Sequence, residues 1–257
     1  MALAGLNNKE KISKLLKGIE TGDPDSVRVV NEAKYIQHNP QTHEGSEGLA
    51  SLFKRLSITS PKVNVARIFE DGVYVFAHTE YDFSQRNIGF EVFRFEDGQA
   101  VEHWDNIQKR IGSNQSGHSM VDGEVKVEDR ELTEANRNVI QSFLNEVMIL
   151  KQVELMNKYI DGSNYKEHSP QFGNDISELS KSISKVEEMR KAISYQKCHR
   201  ILAEGNFVLS VCEGLYGGLH SSFYDLFRLK NKKIVEHWDT REAVPAKELW
   251  KNENGKF

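Results

Sequence analysis

Several things are scarce in this sequence, and each scarcity excludes a class of protein. Its two cysteines, Cys198 and Cys212, are too few for a disulfide scaffold and fit a reduced cytoplasm, where the expectation for each is a small buried hydrophobe on a strand. No stretch approaches the ~20 apolar residues of a membrane-crossing helix. The first residues, Met1 to Lys17, contain lysines early and lack a long apolar core, so no secretory signal is expected and the expected location is cytoplasmic. Dense Lys/Arg blocks are missing and the net charge is −4, which argues against nucleic acid as the main partner. With 257 residues, 38% of them hydrophobic and 28% charged, the balance is that of an ordinary globular chain with room for two domains.

What is present is repetition. Tyr-Ile-Gln-His-Asn-Pro-Gln at 35–41 returns as Tyr-Lys-Glu-His-Ser-Pro-Gln at 165–171. Arg67-Ile68 before Gly72 returns as Arg200-Ile201 before Gly205. Phe93-Arg94 followed by Glu-His-Trp-Asp at 102–105 returns as Phe227-Arg228 followed by the same tetrapeptide at 236–239. The offset grows only from 130 to 134 residues, so order and spacing are kept; a unit of this length is a duplicated domain rather than a solenoid repeat. The divisions expected are 1–110, a linker at 111–127 whose Gly/Ser/Asn-rich start marks it by composition, and 128–257.

Each copy opens with helical periodicity. Ile12, Leu15, Leu16 and Ile19 mark a first helix that Thr21-Gly-Asp-Pro24 stops, and a short second helix leads on to Tyr35. In the second copy a helix capped at Thr133 runs through Val139, Ile140, Phe143 and Val147. Further helices are expected near 47–56 and 175–193. Strands follow at 62–69, 73–81, 88–95 and 100–107, with Asp-Gly turns at 71–72 and 97–98. Helices first and antiparallel strands after is an α+β order.

Strand alternation divides the tetrapeptide: His103 and Asp105 share one face, Glu102 and Trp104 the other. A two-residue Asp-Gly turn would set Glu91 opposite Trp104, whereas a type I turn with Gly98 in a bulge would set it opposite His103. The second option is favoured, because it gathers Phe93, Phe95 and Val101 with Glu91, His103 and Asp105 and leaves Arg94 near Glu102. The second copy repeats this with Asp225, Phe227, Leu229, Val235, His237 and Asp239. Carboxylates and an imidazole among apolar side chains are either a hydrogen-bonded core network or a reaction site. His43 lies five residues after His38, a metal-like spacing, but its counterpart is Gly173 and no metal is expected. Trp104 and Trp238 are expected to be structural.

These motifs together resemble the SnoaL-like polyketide cyclases of the nuclear transport factor 2-like and ketosteroid-isomerase-like superfamily. The resemblance spans both copies. It implies a tandem pair of cone-shaped α+β domains, each a curved antiparallel sheet wrapped around N-terminal helices with an internal cavity. It also implies aldol-type or isomerisation chemistry on a small apolar, carbonyl-containing molecule, with no metal or organic cofactor. A cavity aspartate would move the proton, Asp105 in one copy and Asp239 in the other, while His103 or His237 orients the acid or steadies an enolate oxygen. Glu91 and Asp225 occupy a second polar position, where an acid is a poor oxyanion donor. Tyr35, His38, His78, Phe93, Tyr165 and His168 are the expected ligand-lining residues. A non-catalytic binding or interaction module of the same fold is the alternative, and pairing is expected either as a homodimer or as an intramolecular pseudo-dimer.

Overall fold

The computed structural model describes all residues except 1–2, 4, 44–52, 54–55, 57 and 185–191. The helix expected near 47–56 falls largely outside the described residues. Two compact units form: one from Met1–Lys109 with Pro245–Phe257, the other from Arg110–Val244.

In the first unit the leading helix, Asn8–Thr21, begins with a reciprocal cap between Asn7 and Glu10 and ends at Gly22 in the left-handed conformation. Its spaced Ile12, Leu15, Leu16 and Ile19 are all buried, each removal from water contributing about 1.5–3 kcal/mol. They pack with Val63, Val75, Ala77, Tyr81 and Phe93 from one face of a five-stranded sheet. That sheet comprises β1 (Ile36–Gln37), β2 (Lys62–Asp71), β3 (Tyr74–Asp82), β4 (Arg86–Glu96) and β5 (Gln99–Lys109), in the order β1-β5-β4-β3-β2. β1 runs parallel to β5 and the other neighbours are antiparallel.

The second unit repeats the order with β6 (Lys166–Glu167), β7 (Ile193–Glu204), β8 (Phe207–Tyr216), β9 (Leu219–Lys230) and β10 (Lys233–Ala243), arranged β6-β10-β9-β8-β7. Bulges recur at matching places, beside Arg67 and Arg200 and again after the hairpin turns of β4–β5 and β9–β10; each bends its strand. The helix Thr133–Phe143 covers this sheet, supplying Ile140 and Phe143 to the core. Thr133 starts this helix instead of capping it: its hydroxyl donates to the Arg130 carbonyl and accepts from the Gly205 amide. The described part of the later helix is Ile176–Ser184, and Ile193 already belongs to β7. Among the described residues no helix is long and apolar enough to cross a membrane.

The hairpin register departs from expectation. Asp97 and Gly98 both have positive φ, the two-residue turn, yet Glu91 opposes Asp105 rather than His103 or Trp104. The reason is a bulge at Val101, which advances β5 by one residue after the turn. Inner and outer faces come out as expected from Glu91 to Asp105, but beyond the bulge Ala100, not Val101, joins the core with Phe95, and Ile234, not Val235, does so in the second unit.

The chain ends each repeat in an unexpected way. Arg110, expected to close the first domain, and the expected linker 111–127 both belong to the second unit, where the Asn114 amide donates to the carbonyls of Glu167 and Ser169. Pro245–Phe257 is seated on the first, where the amides of Asn254 and Asn252 donate to the carbonyls of Gln37 and Asn39. β1 and β6 are edge strands, so each tail satisfies matching carbonyls that the sheet leaves open.

Candidate functional site

The parallel pairing of β1 with β5 explains why the two sequence motifs travel together. Gln37 lies opposite His103, so Gln37 faces inward and the next residue, His38, faces out. On the outer side the His38 ring stacks on Trp104 at 4.6 Å, and its Nε2 meets Glu102 Oε1 at 2.9 Å. The Arg94 guanidinium closes the chain by donating to Glu102 at 2.6 Å. The second unit repeats each contact: His168 on Trp238 at 4.6 Å, His168 to Glu236 at 2.9 Å, and Arg228 to Glu236 at 2.6 Å. His38 and His168, expected to line the ligand, therefore belong to a structural clamp on the opposite face. His78 is corrected likewise: alternation along β3 turns it away from Ala77 and Tyr81, toward Arg67 at 3.2 Å and the edge of the Phe90 ring.

On the inner face of the first unit, Phe93 stacks on His103 at 4.4 Å. The Gln37 side-chain oxygen Oε1 accepts from the Asn39 backbone N–H at 2.8 Å, which fixes it as an acceptor for His103 Nδ1 at 3.0 Å. His103 Nε2 faces Glu91 Oε2 at 2.7 Å, and the Tyr81 hydroxyl donates to the other Glu91 oxygen at 2.7 Å. Asp105 accepts from the Asn39 side chain at 2.8 Å, while the buried Lys256 ammonium donates to the Asp105 carbonyl at 2.7 Å and stands 3.5 Å from its Oδ1. Burial, reinforced by the charges of Glu91 and Asp105, holds the Tyr35 hydroxyl well above its ordinary pKa, so it stays protonated. Glu91, His103 and Asp105 present ligand atoms within 4.8 Å of one another, a metal-like spacing, but the ammonium of Lys256 already supplies the cation at Asp105. His118, Asp122 and His168 show the same spacing; there His168 Nδ1 faces the Ser119 carbonyl at 2.9 Å, so it carries a proton instead of a free lone pair.

The second unit differs where it matters chemically. Glu167 replaces Gln37, so His237 lies between two carboxylates, Glu167 at 2.9 Å and Asp225 at 3.1 Å. Burial opposes the ring's charge, but Glu167 and then Asp225 outweigh it and raise the His237 pKa well above the ordinary histidine value. Tyr165 donates to Glu167 at 2.6 Å and Tyr195 to Asp225 at 2.8 Å. Asp239 Oδ2 meets Arg241 Nε at 3.3 Å, and the guanidinium covers the Tyr216 ring. Among the described residues Asp239 Oδ1 is buried without a hydrogen-bond partner. Asp225, His237, Asp239 and Arg241 border a cavity of about 20 Å³ whose other walls include Phe143, Met148 and Phe172. Such a volume holds about one water molecule, so a larger guest requires wall side chains to yield.

Gln37, Glu167, Asn39, Lys256, Tyr81, Tyr195 and Arg241 were not among the expected site residues. For Gln37 and Glu167 a signal exists, since they alternate with the histidines of the first motif. No comparable signal points to Lys256, which reaches the site from the far end of the sequence.

No family model and no curated protein matches this chain. Solved structures similar to it include TsrD from Streptomyces laurentii, at 19% identity and TM-score 0.34 over 38% of this chain and 85% of that one. IdmH from Streptomyces antibioticus, described as a candidate polyketide cyclase, aligns at 18% identity and TM-score 0.35 over 40% of this chain and 92% of its own. An NTF2-like protein of unknown function from Cytophaga hutchinsonii aligns at 14% identity and TM-score 0.35 over 41% and 93%.

Proposed function

We propose that the second unit carries the working site and that it handles a small, neutral carbonyl compound by proton transfer through Asp239. The observation that carries this reading is that Asp239 borders the cavity and its buried Oδ1 has no hydrogen-bond partner among the described residues. A buried acceptor without a donor is costly, and a ligand or water that donates to it removes that cost. Arg241 offsets the aspartate's charge, and the apolar walls suit an apolar body. His237 has both ring nitrogens committed, Nδ1 to Glu167 and Nε2 to Asp225, so its part is to hold those carboxylates in place beside Asp239. Asp105 in the first unit is engaged by Asn39 and Lys256, which supports a structural assignment for it.

The small cavity favours a second reading, a binding module without turnover. The two are separated by incubating the full-length protein with small enolisable ketones in deuterated water and following deuterium at the α-carbon. Exchange above buffer that is lost in Asp239→Asn and kept in Asp105→Asn supports the catalytic reading. Binding seen by native mass spectrometry with no exchange supports the module, and exchange that survives Asp239→Asn overturns the assignment of the base.

A further inference from the structure

The two cysteines, unrelated by sequence position, are neighbours in space. Cys198 on β7 is the register partner of Cys212 on β8. Directly opposed residues of an antiparallel pair point to the same face with Cα atoms about 4.5–5.5 Å apart. A disulfide requires roughly 4.4–6.8 Å, a range that contains the usual spacing of an opposed pair. Bulges interrupt β7 on both sides of Cys198, between Tyr195 and Lys197 and between Cys198 and Arg200, which gives the strand local freedom to adjust Cys198 against its partner.

The two thiols are unequal. Cys198 is partly exposed, whereas Cys212 is fully buried in the core of the second unit. A hydrogen bond from Cys212 lowers the Cys198 thiol pKa, and burial, with that same shared hydrogen bond, pushes Cys212 up. A thiol on a partly exposed residue that ionises more readily beside a fully buried one fits the division of labour between an attacking and a resolving cysteine.

We infer that Cys198 and Cys212 are a redox modification site, forming a reversible intramolecular disulfide across β7 and β8 when the protein meets a peroxide. The Cys198 thiolate attacks one peroxide oxygen, breaking the O–O bond and releasing hydroxide, which is protonated to water; this leaves a sulfenic acid. The Cys212 sulfur, giving up its proton, then attacks the Cys198 sulfur and expels a second water. Two thiols and one peroxide become one disulfide and two waters, and a dithiol reductant reverses the change. The inference stands apart from the proposed function. The link would nonetheless lie in the inner wall of the second unit, since Cys212 follows Ser210 on the same face and Ser210 Oγ is 3.5 Å from Asp225.

The test treats the full-length protein with hydrogen peroxide, unfolds it in iodoacetamide and reads intact mass and peptide maps. Expected are the loss of two hydrogens, no alkylation, a single-chain mass and a Cys198–Cys212 cross-linked peptide, with both thiols alkylated again after dithiothreitol. In Cys212→Ser, Cys198 should stop at a sulfenic acid that dimedone traps. Wild-type protein that remains fully alkylated after peroxide overturns the inference. So does a cross-link between two chains, or dimedone labelling of wild type as strong as that of Cys212→Ser.

Discussion

The imidazole of His103 faces an amide oxygen on one side and a carboxylate on the other, whereas that of His237 faces carboxylates on both. One change of residue type between the repeats, Gln37 to Glu167, makes that difference. The tyrosine that holds the next carboxylate is also exchanged: Tyr81 on β3 donates to Glu91, whereas Tyr195 on β7 donates to Asp225. Gly214 stands where the first unit has Tyr81, and Gly89 stands where the second has Phe223, whose ring stacks on Tyr195 at 4.6 Å. Each repeat has thus kept a hydroxyl on its carboxylate while drawing it from a different strand. The outer clamp of Arg, Glu, His and Trp is the same in both. The duplication has preserved what holds the sheet edge and altered what faces inward.

The largest expected effect tests the preserved part. Glu236 is only 1% exposed and its counterpart Glu102 is 16% exposed, yet both join an Arg to a stacked His. Glu236→Ala should cost about 3–5 kcal/mol, as removal of one partner from a buried ion pair does. Glu102→Ala should cost less, about 1–3 kcal/mol. Urea unfolding of the full chain measures both; equal losses would show that burial does not separate the two clamps. The next effect concerns the tail. Lys256→Met removes the ammonium at Asp105 and should cost about 1.5–3 kcal/mol, the usual value of a hydrogen bond to a charged group. If the tail is what closes the first site, amide hydrogen exchange at Asn39 and Asp105 should speed up in this variant, and unchanged protection would argue that it is not. Smaller again is Gly89→Ala, whose Cβ would come within 2.6 Å of the Tyr81 ring and 2.7 Å of Glu91 Oε1. Overpacking of that kind costs about 1–3 kcal/mol, and a thermal midpoint equal to wild type would mean that Tyr81 yields freely.

The repeats and the two faces of Glu-His-Trp-Asp were legible in the sequence because a strand's period of two is rigid and the motif spacing was kept. The register was not, because the Asp97-Gly98 turn and the bulge at Val101 each move β5 by one residue and only the sequence before Val101 carries turn chemistry. His38 was placed on the wrong face because the pairing of β1 with β5 spans more than sixty residues, and nothing local to His38 states which neighbour it will have. Exchange of the tails was illegible for a similar reason: an asparagine-bearing segment satisfies an open carbonyl equally well on either unit, and composition does not say which.

The smallest expected effect bears most directly on the altered interior. Glu167→Gln gives the second unit the residue of the first, removing one of the two carboxylates beside His237 while keeping an oxygen for its Nδ1. The His237 pKa, now raised, should fall, and NMR titration of its ring carbon protons reads the change directly. The consequence for stability has a definite sign. A histidine whose folded pKa exceeds its unfolded value of about 6.5 stabilises fully below that pH, and the contribution is lost as pH rises through the folded value. Wild-type protein should therefore lose stability on going alkaline from neutral, and Glu167→Gln should lose less, with each unit of pKa lowered worth about 1.4 kcal/mol. A variant that titrates like wild type would assign the raised pKa to Asp225 alone, and the contrast between Gln37 and Glu167 would then have no electrostatic meaning.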